Sequence, residues 1–187
     1  MGYYDSEENV ERYIRMASGY DGKLLIDVLA KYLPEGSRIL EVGMGAGKDL
    51  LMLNKHYQVS GSDSSAIFVK RFRRLHPNLD VKVLDAITID TDERYDGIYS
   101  NKVLIHLSRA DLLASFERQA QVLNTGGVAI HSFWYGDGEA EYHGLRFHYY
   151  REDSLKALTG PGYEFLESKR YTEIEIDDSI YIVLRRR

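Results

Sequence analysis

Seven residues constrain this chain more than any others: Glu41-Val42-Gly43-Met44-Gly45-Ala46-Gly47. They follow the apolar run Arg38-Ile39-Leu40-Glu41-Val42 and lead into a helical pattern carrying Leu50, Leu51 and Leu53. Three alternate glycines between a strand and a helix let the backbone turn sharply and leave it bare to a ligand. The helix start behind them presents free N–H groups, which suit a phosphate or the carboxylate of an amino-acid moiety. Asp63 stands twenty residues beyond Gly43, at the end of the next strand-like run, Gln58 to Asp63. In a nucleotide-binding α/β unit a carboxylate at that place accepts hydrogen bonds from ribose hydroxyls. Two other nucleotide motifs fail on register. Lys48 follows Gly47, so the third glycine falls one residue early for a dinucleotide turn. Asp49 stands where a phosphate-binding Walker loop needs Ser or Thr.

The rest of the chain alternates helical and strand patterns. Leu24, Leu25, Val28, Leu29, Tyr32 and Leu33 predict an amphipathic helix over 22–33, stopped by Pro34-Glu35-Gly36. A basic helix is predicted over 66–75, strands over 81–85 and 95–99, and a helix opened by the capping box Ser108-Arg109-Ala110-Asp111. Its stripe is Leu112, Leu113, Phe116, Ala120 and Leu123, and Asn124-Thr125-Gly126-Gly127 closes it. A strand over 128–134, a short helix near 153–159 and two strands near 164–173 and 179–184, joined at Asp177-Asp178, complete the order. This predicts an α/β fold: a Rossmann-like, seven-stranded, mostly parallel sheet with helices on both faces and an antiparallel C-terminal strand pair. The link from Asp85 to Tyr95 is too short for a crossover helix. Residues 134–150 contain Gly136, Gly138 and Gly144 and read as a mobile lid.

Composition narrows the partners. With 187 residues the chain is expected to form a single domain, 1–187, with 1–21 as a helical cap over the pocket. It has no cysteine, which excludes disulfides, thiolate metal sites and a Cys nucleophile, and fits a cytoplasmic location. The net charge of −5 argues against nucleic acid as partner. Lys70-Arg71 and Arg73-Arg74 read as a solvated helix face, and Arg185-Arg186-Arg187 as a terminus. No run is long enough to span a membrane, and the N-terminus does not read as a signal peptide. Met1-Gly2-Tyr3-Tyr4-Asp5-Ser6 fits the short myristoylation pattern, but no basic cluster follows to supply a second anchor. A monomer or homodimer is expected.

From here the sequence resembles the class I S-adenosylmethionine-dependent methyltransferases. The likeness runs from about residue 20 to 187. Glu41, Gly43, Gly45 and Gly47 match the family's acidic residue and G-x-G-x-G in register. Asp63 matches the acidic end of its second strand, and Asp85-Ala86 its adenine-contacting position. Tyr95 to Asn101, Val103-Leu104-Ile105-His106-Leu107 and Leu123-Asn124-Thr125-Gly126-Gly127 resemble three further motifs in order. Met44 is larger than usual in the loop, and Thr125 replaces a proline. Ser100-Asn101-Lys102-Val103 stands where enzymes that methylate nucleic-acid amines carry N-P-P-Y or D-P-P-Y.

The resemblance implies a transferase that takes S-adenosyl-L-methionine, releases S-adenosyl-L-homocysteine and moves the methyl group in line to a small-molecule acceptor. It implies cofactor contacts from Glu41, Gly43, Met44, Gly45, Gly47, Asp63, Ser64, Asp85, Ala86, Ser100 and Asn101. Asp63 would hold the ribose diol, Asp85 the adenine amino group, and Glu41 with backbone near Ser100 the methionine ammonium. His106 is the candidate general base if the acceptor must lose a proton, set against a hydrogen-bonded structural histidine, the commoner case. Tyr13, Tyr20, Trp134 and Tyr149 are candidate acceptor contacts, set against ordinary packing. No histidine spacing implies a metal. Two alternatives stay open: a cofactor-binding partner subunit without transferase activity, and an NAD-dependent oxidoreductase.

Overall fold

Alternate residues of the central strands feed two separate cores, one on each face of a sheet. The computed structural model describes residues 3–187; Met1 and Gly2, the start of the myristoylation-like pattern, lie outside the described residues. Five strands run parallel: β1 (Arg38–Val42), β2 (Gln58–Asp63), β3 (Asp80–Val83), β4 (Tyr95–Asn101) and β5 (Leu123–Tyr135), in the order β3-β2-β1-β4-β5. Leu40, Ile98 and Ala129 point to one face, and Ile39, Tyr99 and Ile130 to the other. Both faces are covered, so these strands read as nearly continuous apolar runs.

Helices supply the covers. Two of them, α1 (Glu7–Met16) and α2 (Lys23–Leu29), precede the sheet. Three more follow along the chain: α3 (Lys48–Leu53), α4 (Ala66–Leu75) and α5 (Arg109–Val122). On one face α2 and α3 bury Leu25, Leu29 and Leu53 against Ile39 and Tyr99. On the other α5 buries Leu112 and Phe116. The cap predicted at Ser108 forms, and Ser65 caps α4 in the same way. Ser65 Oγ accepts from Phe68 N, and Ser108 Oγ accepts from Asp111 N at 3.1 Å. The predicted helix 22–33 ends earlier, at Leu29, and continues as a turn to Tyr32.

The link from β3 to β4 carries no helix, as its length requires. Arg118 of α5 serves its carbonyls instead, donating to Thr88 O at 2.9 Å, Ile89 O at 3.1 Å and Thr91 O at 2.8 Å. That satisfies backbone groups which would otherwise be stranded beside the core. Residues 124–127 do not simply end a helix. They bulge out of β5, because Tyr95 pairs with Leu123 while Gly97 pairs with Val128.

The sheet has nine strands rather than seven. The difference lies in the segment expected to be a mobile lid. There β6 (Glu139–Tyr142) and β7 (Leu145–Tyr150) form a hairpin. Its two-residue turn is His143-Gly144, with φ of +52° and +79°, the twist that favours tight hairpins. β5 outlasts β4, and β7 pairs in parallel with its extra residues Trp134 and Tyr135. After α6 (Glu152–Thr159) come β8 (Tyr163–Tyr171) and β9 (Ser179–Arg186). β9 lies antiparallel between β5 and β8, the expected C-terminal pair.

Candidate functional site

The C-terminal ends of β1, β2 and β4 open into a cavity of about 230 Å³. Its floor is the glycine turn. Gly43, Gly45 and Gly47 have φ of +72°, +51° and +78°, all in the region that side chains avoid. A Cβ on Gly43 would meet Val103 at 2.4 Å, and one on Gly45 would meet the Tyr13 ring at 3.1 Å. The turn is therefore closely packed even at the two glycines that line the cavity. Met44 turns its side chain into the core with Leu50, Phe72 and Val81. A Cβ at Gly47 would strike Phe72, so that glycine serves the packing of α4.

Asp63 closes the turn against β2. Its Oδ2 accepts from Gly45 N at 2.9 Å and its Oδ1 from Ser65 N at 2.8 Å. Burial pushes its pKa up, while those two N–H donors hold it down. Each oxygen keeps a lone pair for a further donor. Ser64, Asp85 and Ala86 line the same cavity. Asp85 Oδ1 already caps its own turn, accepting from Ile87 N at 2.7 Å.

Behind the turn lies Glu41, 3% exposed, with Oε2 buried and unpaired among the described residues. Burial first, then Asp49 and Asp63, pushes its pKa well above the carboxylate range. Asp49 is better served, accepting from Gly22 N at 2.7 Å, Tyr99 Oη at 2.7 Å and Asn101 Nδ2 at 3.0 Å. A buried carboxylate without a donor costs free energy unless a cation or donor reaches it. Asp63 lines the cavity and can receive a ligand's hydroxyls, whereas Glu41 lies behind the turn and does not line it. Among the described residues no group of three or more His, Cys, Asp or Glu side chains is placed to hold a metal ion.

The N-terminal segment forms one wall. Tyr3, Tyr4, Asp5 and Tyr13 line the cavity, and Ser65 Oγ donates to Tyr4 O at 2.7 Å. Burial and then Asp63, Asp49, Glu41 and Glu173 push the Tyr13 phenol up to about 12. His106 forms part of the opposite wall, beside the hairpin. Its Nδ1 lies 2.8 Å from Arg146 O and its ring 4.8 Å from Phe147. A carbonyl only accepts, so Nδ1 carries the hydrogen and Nε2 keeps the lone pair. Burial holds the His106 pKa below its ordinary value.

The other sequence candidates lie elsewhere. Ser100 turns its hydroxyl to His131 Nδ1 at 2.8 Å, so it can offer the site only backbone. Of the four candidate acceptor contacts only Tyr13 reaches the cavity. Tyr20 lines a second groove, Trp134 lies under the Lys102 ammonium, and Tyr149 packs by Gly136. Alternation along a strand and two tight turns carry these rings away from the glycine loop. Three residues absent from the sequence candidates matter here. Asp49 ties α2, α3 and β4 together, Val103 packs over Gly43, and Lys102 pairs with Glu173 at 2.9 Å. Their partners are distant in sequence, and no local motif announces them.

A parallel sheet in this order, with a glycine turn facing an acidic strand end, is a fold shared with S-adenosylmethionine-dependent methyltransferases of known structure. Residues 39–127 match a family model described as a methyltransferase domain. Among curated protein sequences none matches. Among solved structures, an S-adenosylmethionine-dependent methyltransferase from Clostridium acetobutylicum is similar at TM-score 0.78 and 12% identity, over 96% of this chain and 98% of that one. An amino pentose methyltransferase from Micromonospora echinaspora, solved with S-adenosylmethionine bound, is similar at TM-score 0.76 and 14% identity, over 95% and 97%. The magnesium protoporphyrin IX methyltransferase of Synechocystis is similar at 0.74 and 18%, over 99% and 94%. The matched segment, 39–127, holds the glycine turn, Asp63 and Asp85.

Proposed function

We propose that this protein transfers a methyl group from S-adenosyl-L-methionine to a small-molecule acceptor by direct in-line displacement. The observation that carries the reading is one cavity walled by Gly43, Gly45, Asp63, Asp85 and Ala86, with the unpaired Glu41 carboxylate behind its floor. A molecule with an amino-acid tail, a ribose and an adenine meets a complementary group at each of those places. Two similar structures are named for small acceptors, magnesium protoporphyrin IX and an amino pentose, which supports a small acceptor here.

When bound, the cofactor supplies a methyl group on a positively charged sulfur, so the leaving group needs no activation. The protein's work is placement and exclusion of water. Asp63 takes the ribose hydroxyls while holding Gly45 N. Glu41 takes the ammonium and is thereby kept ionised. Asp85 and the Ala86 backbone face the base. Residues 3–21 form the cap, with Tyr13 closing the cavity over Gly45. His106 is held by the hairpin with Nε2 free, available as a base for an acceptor that must lose a proton. The whole chain, 1–187, acts as one domain.

A competition titration tests the reading. S-adenosylhomocysteine binds and NADH does not displace it; NADH binding with no affinity for S-adenosylhomocysteine would return the oxidoreductase. Turnover of S-adenosylmethionine with an acceptor excludes a silent partner subunit.

A further inference from the structure

We propose that the methyl acceptor is an amine, held in a groove between α2 and the turn after β8, that Glu173 is the carboxylate that selects it as its ammonium, and that the nitrogen gives up one proton to the water of the open groove before its lone pair takes the methyl group. The inference rests on the transferase reading above and adds the acceptor's site and chemistry. The groove has a volume of about 880 Å³ and meets the cofactor cavity at Asn101, which lines both. Asn101 is held in one orientation there, donating to Asp49 at 3.0 Å and accepting from Ser132 Oγ at 2.6 Å. Tyr20 and Asp21 stand on the α2 side of the groove, Tyr171 and Glu173 on the other.

Charge selects the occupant. Asp63, Asp49 and Glu41 lie close to one another by the glycine turn, and Glu173 lines the groove. The first three adjoin the glycine turn and answer to the cofactor. Glu173 is left facing the groove. Its Oε2 accepts from Lys102 Nζ at 2.9 Å and Tyr171 Oη at 3.1 Å, and its Oε1 has no partner among the described residues. The nearby cations are committed. Lys102 Nζ is also held by Ser179 Oγ at 2.7 Å, over the Trp134 ring at 3.9 Å. Lys48 donates to the carbonyls of Ser18 and Tyr20. Of the groove's remaining bases, Lys23 binds Asp27, Arg170 binds Asp177, and Lys31 and Lys169 lie in the field of Glu167. An anionic acceptor would meet Lys102 already paired with Glu173 and Lys48 already held by carbonyls. An ammonium meets a carboxylate and the faces of Tyr20 and Tyr171.

Calorimetry on the full chain saturated with S-adenosylhomocysteine tests this, with tyramine as the amine probe and tyrosol, its hydroxyl counterpart, as the control. Tyramine binds about tenfold more tightly than tyrosol or better. Glu173→Gln removes most of that preference and leaves S-adenosylhomocysteine affinity unchanged. Tyr20→Ala, at an exposed ring, weakens tyramine several-fold. Equal binding of the two probes, no tyramine binding, or a preference that survives Glu173→Gln overturns the inference while the transferase reading stands. Failure of S-adenosylhomocysteine itself to bind removes the reading and the inference together.

Discussion

At the scale of single residues, the site turns on carboxylates held out of water. Asp63 does two jobs with one side chain: it orders the glycine turn through Gly45 N and Ser65 N and faces the cavity. Asp63→Ala should therefore weaken S-adenosylhomocysteine binding by about tenfold or more, read by calorimetry. An unchanged affinity removes Asp63 from the site. His131 is a different case. It is fully buried in β5 beside Ser100 and Phe116, and burial lowers its pKa to about 3. The unfolded chain takes up that proton near its ordinary value of 6.5, long before the folded chain does. Stability is thus full above 6.5 and drains as pH falls towards 3, by at most about 1.4 kcal/mol per unit. His131→Asn should flatten the loss of stability between pH 7 and 4 in urea titrations. A variant as acid-sensitive as the parent would contradict the assignment.

At the scale of elements, the glycine turn works because two neighbours press against it. Gly43→Ala places a Cβ against Val103 at a φ of +72°, so it should cost both melting temperature and cofactor affinity. Adding Val103→Ala should restore part of the melting temperature, since it relieves the clash but not the dihedral. The β6–β7 hairpin acts on His106 in a similar way. Phe147→Ala opens the ring to water, and the His106 pKa, followed by NMR, should rise towards its ordinary value. No movement would mean that the hairpin does not bury the histidine.

What sequence alone made legible follows from range. Glu41 to Gly47, Asp63 and the Ser108 cap are local patterns, and the elements that carry them form where their spacing placed them. The hairpin was missed although His143-Gly144 is a two-residue turn. Its flanking strand Glu139–Tyr142 is exposed at every position and carries no apolar alternation. Asp49, Lys102 and Glu173 were missed because their partners come from other elements.

At the scale of the molecule, the fold gathers its chemistry at one edge. Parallel strands all end on the same side, so the glycine turn, Asp63 and Asn101 emerge together although they begin far apart in sequence. The antiparallel β9 starts at that same edge, with Ser179 opposite Trp134, which brings the turn holding Glu173 beside them. Cofactor cavity and acceptor groove thus lie on neighbouring strand ends and share Asn101. The central claim is that a single ligand spans the turn with its sugar on Asp63 and its amino group at Glu41. A crystal structure of the full chain with S-adenosylhomocysteine measures this directly. The account predicts ribose oxygens within hydrogen-bond distance of Asp63, the ammonium against Glu41 Oε2 and adenine beside Asp85 and Ala86. A ligand seated elsewhere, or bound with Glu41 and Asp63 both untouched, would contradict it.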